Sequence, residues 1–149
     1  MLTLEKCILL SYECHRMQVA LERSVKRATR FGLPQLGALC ALDGADGAMT
    51  VSFLADRLGI AHHTMSETAR TLESLGLVRR ARDSQADRRL VQVSLTPQGH
   101  ELVMHLRETH TNEYAGASGA LVTPDRIAQV EATLQAITDL LERHLETLT

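Results

Sequence analysis

The sequence has no tryptophan, and only two phenylalanines and two tyrosines among its 149 residues, so its core must be built from aliphatic side chains. No apolar run approaches the roughly 18 residues that a membrane-spanning helix needs. The start, Met1-Leu2-Thr3-Leu4-Glu5-Lys6, has neither the basic opening nor the long apolar stretch of a signal peptide, and a cytoplasmic chain is expected. Three cysteines, an odd number, argue against a disulfide framework. There is no glycine-rich phosphate loop, no Gly-x-Ser-x-Gly elbow and no Cys-x-x-Cys pair. The serines, histidines and aspartates have no motif context. Neither an enzyme nor a bound cofactor is expected.

What the chain has is enough apolar residue, 44%, for one globular domain spanning residues 1–149. Its net charge of −2 hides an uneven distribution. Residues 49–100 carry seven arginines against five acids, whereas residues 101–149 carry three arginines against eight acids. A polyanion responds to local potential rather than to the total. The basic middle is therefore the candidate contact surface, and the acidic end should face away from it.

That middle, residues 49–96, organises the rest. Thr50 is placed to cap a helix over Val51 to Leu58, with Phe53, Leu54 and Leu58 on an apolar face. Gly59 ends it, and a second helix runs from about His62 to Leu75 with the stripe Met65, Ala69, Leu72 and Leu75. Gly76 is a helix-stop glycine. Leu77-Val78 starts a strand, and Leu90 to Leu95 alternates as a second, with Val91, Val93 and Leu95 on one side. Between them, residues 79–89 hold five arginines against two aspartates around a polar tip. Two helices joined by a glycine turn form a helix-turn-helix, and the charged hairpin after it is a wing. A hairpin with no role beyond packing needs no such excess of arginine. A loop lying along phosphates does.

The flanks are helical. Leu4 to about Thr29 is one long helix with the stripe Cys7, Cys14, Met17, Leu21, Val25 and Ala28. A short helix follows from Pro34 to about Leu42, with Leu36, Leu39, Cys40 and Leu42 apolar, and Met49 is positioned to add a third short strand. Thr96-Pro97 opens a helix through Leu102, Val103 and Leu106 toward Tyr114, which Gly116 to Gly119 frays or ends. Thr123-Pro124 opens the last one, with a near-heptad seam at Ile127, Val130, Leu134, Ile137, Leu141, Leu145 and Leu148. One small domain cannot easily cover both long terminal helices. A homodimer with these helices interleaved about a two-fold axis is expected.

Several stretches resemble the MarR family of bacterial transcription regulators. Thr50-Val51-Ser52-Phe53-Leu54-Ala55-Asp56-Arg57-Leu58-Gly59-Ile60 is similar to that family's first helix of the helix-turn-helix, and Leu72 to Arg80 to the exit of its recognition helix. Asp87-Arg88-Arg89, followed by Val93-Ser94-Leu95-Thr96 and Gly99, matches its wing motif. The recognition-helix start, Ala61-His62-His63-Thr64-Met65-Ser66, departs from the family pattern. The resemblance implies a mainly α fold: an α+β winged helix, residues 34–96, flanked by dimerisation helices in 1–30 and 97–149. It implies a transcriptional regulator that binds double-stranded DNA as a homodimer.

On this reading the recognition helix offers His62, His63, Thr64, Ser66, Glu67 and Arg70 to the major groove, or in part to phosphates. The wing offers Arg82, Asp87, Arg88 and Arg89. The resemblance assigns Arg89 to the minor groove, and Asp87 would hold it by a charge-assisted bond. The family commonly answers to phenolic carboxylates bound between the dimer helices and the winged domain. The residues that such an aromatic or anionic effector would meet are Cys14, His15, Arg16, Met17, Gln18, Cys40 and His105. Some members instead sense oxidants through a first-helix thiol, and Cys7 and Cys14 lie there. Seven residues apart, they stand about 10.5 Å from each other along a helix, too far to bridge. Metal sensing would need more than the pair Glu101 and His105, so no metal site is expected. A winged helix that binds protein and not DNA is the remaining alternative.

Overall fold

The computed structural model describes residues 1–45, 47–82, 90–118 and 122–147, with only the backbone for 110–118. The described chain forms two compact units, Met1–Met104 and His105–Thr149. The first holds α1 (Leu4–Ala28), α2 (Leu33–Asp43), β1 (Met49–Thr50), α3 (Val51–Leu58), α4 (His62–Ser74), β2 (Val78–Arg82), β3 (Val91–Leu95) and the opening turns of α5 (Pro97–Ser118). The second holds the rest of α5 and α6 (Pro124–Glu146). A three-stranded antiparallel sheet runs in the order β1-β3-β2, with Met49 opposite Val93 and Arg80 opposite the same residue on the other side. The third strand expected at Met49 is therefore present, and the fold is the α+β winged helix.

Hydroxyl caps set the helix starts. Thr3, Thr50 and Thr123 accept from the backbone N–H of Lys6, Phe53 and Arg126. Gln35 reaches back to accept from the Gly32 N–H at 2.8 Å, which fixes the entry to α2. Gly59 closes α3 at φ +61°, and Gly76 follows α4 at φ +72°; both lie in the left-handed region that a side chain would strain.

Apart from Phe31, the core of the first unit is aliphatic. Leu39 and Leu42 of α2, Leu54 of α3, Met65 and Leu72 of α4 and Val93 of β3 are its largest fully buried side chains. Several positions expected inside are not. Phe53 is 52% exposed, because α3 turns Val51, Leu54 and Ala55 to the core and position 53 falls off that face. Leu75 is exposed because α4 ends at Ser74, leaving Leu75 as its C-cap. Cys40 is exposed beside buried Leu39, since adjacent helical residues point about 100° apart. On α1, Met17 and Leu21 are exposed, and the half-buried positions are Cys7, Leu10, Cys14, Val19, Glu22 and Val25.

α6 completes no core of its own. It buries no residue fully, and Ile127, Val130, Leu141 and Leu145 of its expected seam are exposed, with Leu134 and Ile137 half-buried. Leu148 lies outside the described residues.

Candidate nucleic-acid interface

α4 divides cleanly into two faces. Met65, Thr68, Ala69 and Leu72 are buried. His63, Glu67, Arg70 and Ser74, in steps of four, three and four, occupy the opposite face and are exposed. His62 is exposed on the flank, and Thr64 and Ser66 are half-buried at the edges. The hydroxyls of Thr64 and Ser66 make no hydrogen bond among the described residues and keep both donor and acceptor. Thr68, Thr71 and Ser74 instead donate to the carbonyls of Thr64, Glu67 and Thr71 at 2.8, 3.1 and 2.7 Å. Thr71 and Ser74, absent from the sequence-derived set, thus present acceptors only. The N-cap of α4 is Ala61, which supplies no side-chain bond, so the first backbone N–H groups of this helix keep their donors for another acceptor.

Among the described residues, one ion pair joins α4 to the base of the wing. Glu73 Oε1 accepts from the Arg80 backbone N–H at 3.1 Å, and Glu73 Oε2 accepts from Arg80 Nη1 at 3.3 Å. Arg80 is spent on this contact, its side chain 20% exposed. Arg79 and Arg82 of β2 are exposed. Asp87, Arg88, Arg89 and the polar tip lie outside the described residues, so the described part of the candidate surface ends at Arg82. Nothing in the spacing announces Glu73, whose partner is seven residues away across a turn.

A second feature sits behind this surface, a cavity of about 420 Å³ between α1, α2 and α3. Gln18 and Glu22 line it from α1, and Leu33, Pro34 and Gly37 from α2. Leu58 and Ile60 close it at the end of α3 and the turn into α4. Of the expected effector residues Gln18 alone lines it. Arg16 is exposed and paired with Glu13 at 3.0 Å, His15 and Met17 point to solvent, Cys14 is half-buried and Cys40 exposed. Cys14 shares the helix face of Gln18 and Glu22 but lies one turn short of the cleft, whereas His15, Arg16 and Met17 are exposed on the other sides of α1. Gly37, a glycine within a helix, and the pair 18 and 22, one turn apart, are the signals that point to this cleft. Cys7, Cys14 and Cys40 are in no disulfide with one another. Among the described residues no group of three or more His, Cys, Asp or Glu is placed to hold a metal, and no helix is long and apolar enough to cross a membrane.

Residues 31–90 match the model of the MarR family. A search of curated proteins finds no match. Among solved structures, the chain is similar to a MarR family regulator from Neisseria meningitidis at 17% identity, with a TM-score of 0.74 over 95% of this chain and 96% of that one. It is similar to MepR of S. aureus, solved as a complex with DNA, at 24% identity and a TM-score of 0.66, over 90% and 96% of the two chains. It is also similar to BpsR of Bordetella bronchiseptica, whose DNA binding is regulated by 6-hydroxynicotinic acid, at 24% identity and a TM-score of 0.65, over 87% and 91%.

Proposed function

We propose a function from one premise: the winged-helix segment of this chain, residues 31–90, belongs to the MarR family, and the chain has the fold of that family's transcriptional regulators. The protein is a sequence-specific DNA-binding regulator, not an enzyme, acting in the cytoplasm as a homodimer on a pseudo-palindromic operator. Residues 34–96 contact DNA, and residues 1–30 and 97–149 join two copies. A small effector releases the operator, which makes the protein a ligand-responsive repressor.

The observation that carries this reading is the outward face of α4. It is polar along its whole length and continues into the exposed arginines of β2. His63, Glu67 and Arg70 face the base edges, with His62 beside them. Thr64 and Ser66 bond phosphates or bases from the helix edges, and the uncapped N–H groups of α4 favour a phosphate. Arg82 and Arg88 follow the backbone, and Arg89, held by Asp87, enters the minor groove. MepR, of similar fold, is known in a complex with DNA. In a dimer the two α4 helices enter successive major grooves about 34 Å apart. The dimer reading rests on the apolar side chains that α1 and α6 leave exposed, among them Leu4, Ile8, Leu9 and Tyr12.

The test is selection of bound duplexes from a random pool, followed by fluorescence anisotropy over a salt series. The expected result is a two-fold symmetric motif with half-sites about one helical turn apart and an affinity that falls steeply with salt. Enrichment of no motif, together with salt-independent binding, overturns the proposal and leaves a protein-binding winged helix.

A further inference from the structure

We infer that DNA binding takes up protons at His62 and His63: the two imidazoles meet acceptors of the duplex in their charged form, so affinity rises as pH falls. This deepens the DNA-binding reading and rests on it.

α4 is the helix which that reading turns toward DNA, yet its fixed charges are one arginine, Arg70, and two glutamates, Glu67 and Glu73. With neutral imidazoles its net charge is −1, one arginine less two glutamates. Such a helix offers a polyanion little. Two protonated histidines turn the same helix to +1. The arginines of β2 are positive at any working pH, so the variable part of the surface charge lies at the start of α4.

Both rings are placed to meet DNA. His62 and His63 open α4 and are exposed. The first residues of a recognition helix are the ones that reach base edges. His63 shares its face with Glu67 and Arg70, and His62 lies on the flank. Among the described residues neither ring makes a hydrogen bond or an ion pair. The first turn of α4 holds no acidic residue, and Glu67, one turn on, is not bonded to His63. The elements packed against α4 supply no partner either. α3 brings Asp56 and Arg57, both exposed and of opposite sign. α2 brings Asp43, which lies 3.1 Å from His100 Nδ1. β2 brings Arg79, Arg80 and Arg82, of which Arg80 is held by Glu73.

Imidazole changes its charge between about pH 5 and 8. A charged ring donates from both nitrogens and accepts at neither. That suits a phosphate oxygen, or the N7 and O6 acceptors of guanine in the major groove. An acceptor bonded to the charged ring favours that form. Protons therefore enter with the duplex as pH falls through the imidazole range, and the added affinity is lost as pH rises. A neutral ring still donates once, so binding weakens without vanishing.

The probe is a fluorescein-labelled duplex selected from a random pool at about pH 6. Its affinity for the full chain is read by anisotropy from about pH 6 to about pH 8 at constant ionic strength. The expected result is a loss of at least about tenfold across that range, since one fully linked proton approaches tenfold per pH unit. His62→Gln with His63→Gln should flatten the profile at its weak end. His62→Lys with His63→Lys keeps two cations throughout and should flatten it at its tight end. Both positions are exposed, so the variants keep the fold, which circular dichroism checks. The glutamine variant retains the other histidines and so isolates these two. A duplex of scrambled sequence separates the two sources of the acceptor. The same pH dependence on it assigns the rings to phosphates, and dependence confined to the selected duplex assigns them to base edges. A flat profile in wild type, or an equally steep one in the glutamine variant, overturns the inference and leaves the regulator reading standing. Failure to select any duplex at about pH 6 overturns both.

Discussion

Replacing Gly99 by alanine tests the central joint of the winged helix. Gly99 lies in the first turn of α5 and is buried. A Cβ built there runs into the Leu77 carbonyl oxygen and stands 3.1 Å from both the Leu77 carbonyl carbon and Leu95 Cδ2. The obstruction is backbone, so no rotamer relieves it. Restoring an ordinary contact requires α5 to move off the strand entry by about 1 Å. That shift disturbs three hydrogen bonds. The Thr96 N–H donates to the Leu77 carbonyl at 3.1 Å, the Thr96 hydroxyl donates to the Gly76 carbonyl at 2.6 Å, and the Gly99 N–H donates to Thr96 Oγ1 at 3.1 Å. Each contributes about 1 kcal/mol, and overpacking costs a further 1–3. Partial relaxation lowers the sum, and the expected loss is about 3 kcal/mol. Helix propensity acts the other way, since alanine in a helix gains about 0.5–1 kcal/mol over glycine. The sign of the measured change therefore decides between packing and propensity. Urea denaturation followed by circular dichroism reads it directly, and Gly44→Ala is the control. A Cβ at Gly44 meets nothing closer than 3.7 Å and its φ is −75°, so its effect should stay within about 0.5 kcal/mol. A Gly99→Ala protein as stable as wild type would refute the joint described here.

Three further outcomes follow from the same structure. Glu73→Ala removes both acceptors from Arg80 and should cost about 1–2 kcal/mol of stability by urea titration, discounted because Glu73 is partly exposed; an unchanged midpoint would mean the pair is idle. Arg70→Ala should weaken operator binding by about 1–3 kcal/mol if Arg70 reads a base, or lower the salt slope by about one unit if it meets a phosphate, and anisotropy showing neither would remove it from the interface. Leu134→Glu with Leu141→Glu should convert a dimer to monomer or unfolded chain by light scattering, because charge enters an apolar seam; a wild-type protein that is already monomeric at micromolar concentration ends the two-fold model.

Much of the fold was legible because local chemistry and periodicity agree here. Thr50, Gly59 and Gly76 mark boundaries by capping and by left-handed backbone, and α3 spans Val51–Leu58 as those signals imply. Periodicity was weaker at deciding which apolar residues are inside. Phe53, Leu75, Cys40 and Met17 are as apolar as their buried neighbours, and a stripe drawn through apolar letters does not know where its helix ends or which residues reach a neighbour. The exposed face of α4 was readable as the polar complement of Met65, Ala69 and Leu72. The cleft between α1, α2 and α3 was not, because it arises where three helices meet. Gln18 and Glu22 face Pro34 and Leu58 only once the chain has turned twice. An arginine beside a stripe, such as Arg16, looks like a ligand-binding group in the sequence, yet in the structure it pairs with Glu13 on its own helix.

The turn from α4 to β2 makes the helix and the wing base one body. Several connections hold residues 72–80. The Leu77 N–H donates to the Leu72 carbonyl at 3.0 Å, the Gly76 N–H to the Glu73 carbonyl at 2.9 Å, and the Thr96 hydroxyl to the Gly76 carbonyl. Glu73 then grips Arg80 through backbone and side chain together. Gly76 makes this possible, since its φ of +72° turns the chain back within one residue. Arg70, on one side of the turn, and Arg79 and Arg82, on the other, are thereby held at fixed separations. Groups ordered before binding lose less conformational entropy when they meet a rigid ligand, and the duplex is one. A loose wing base would let the same arginines contact any phosphates within reach. On the proposed DNA-bound arrangement, a fixed base would make the contacts of β2 depend on where α4 sits in its groove, which would turn nonspecific charge attraction into register along the DNA.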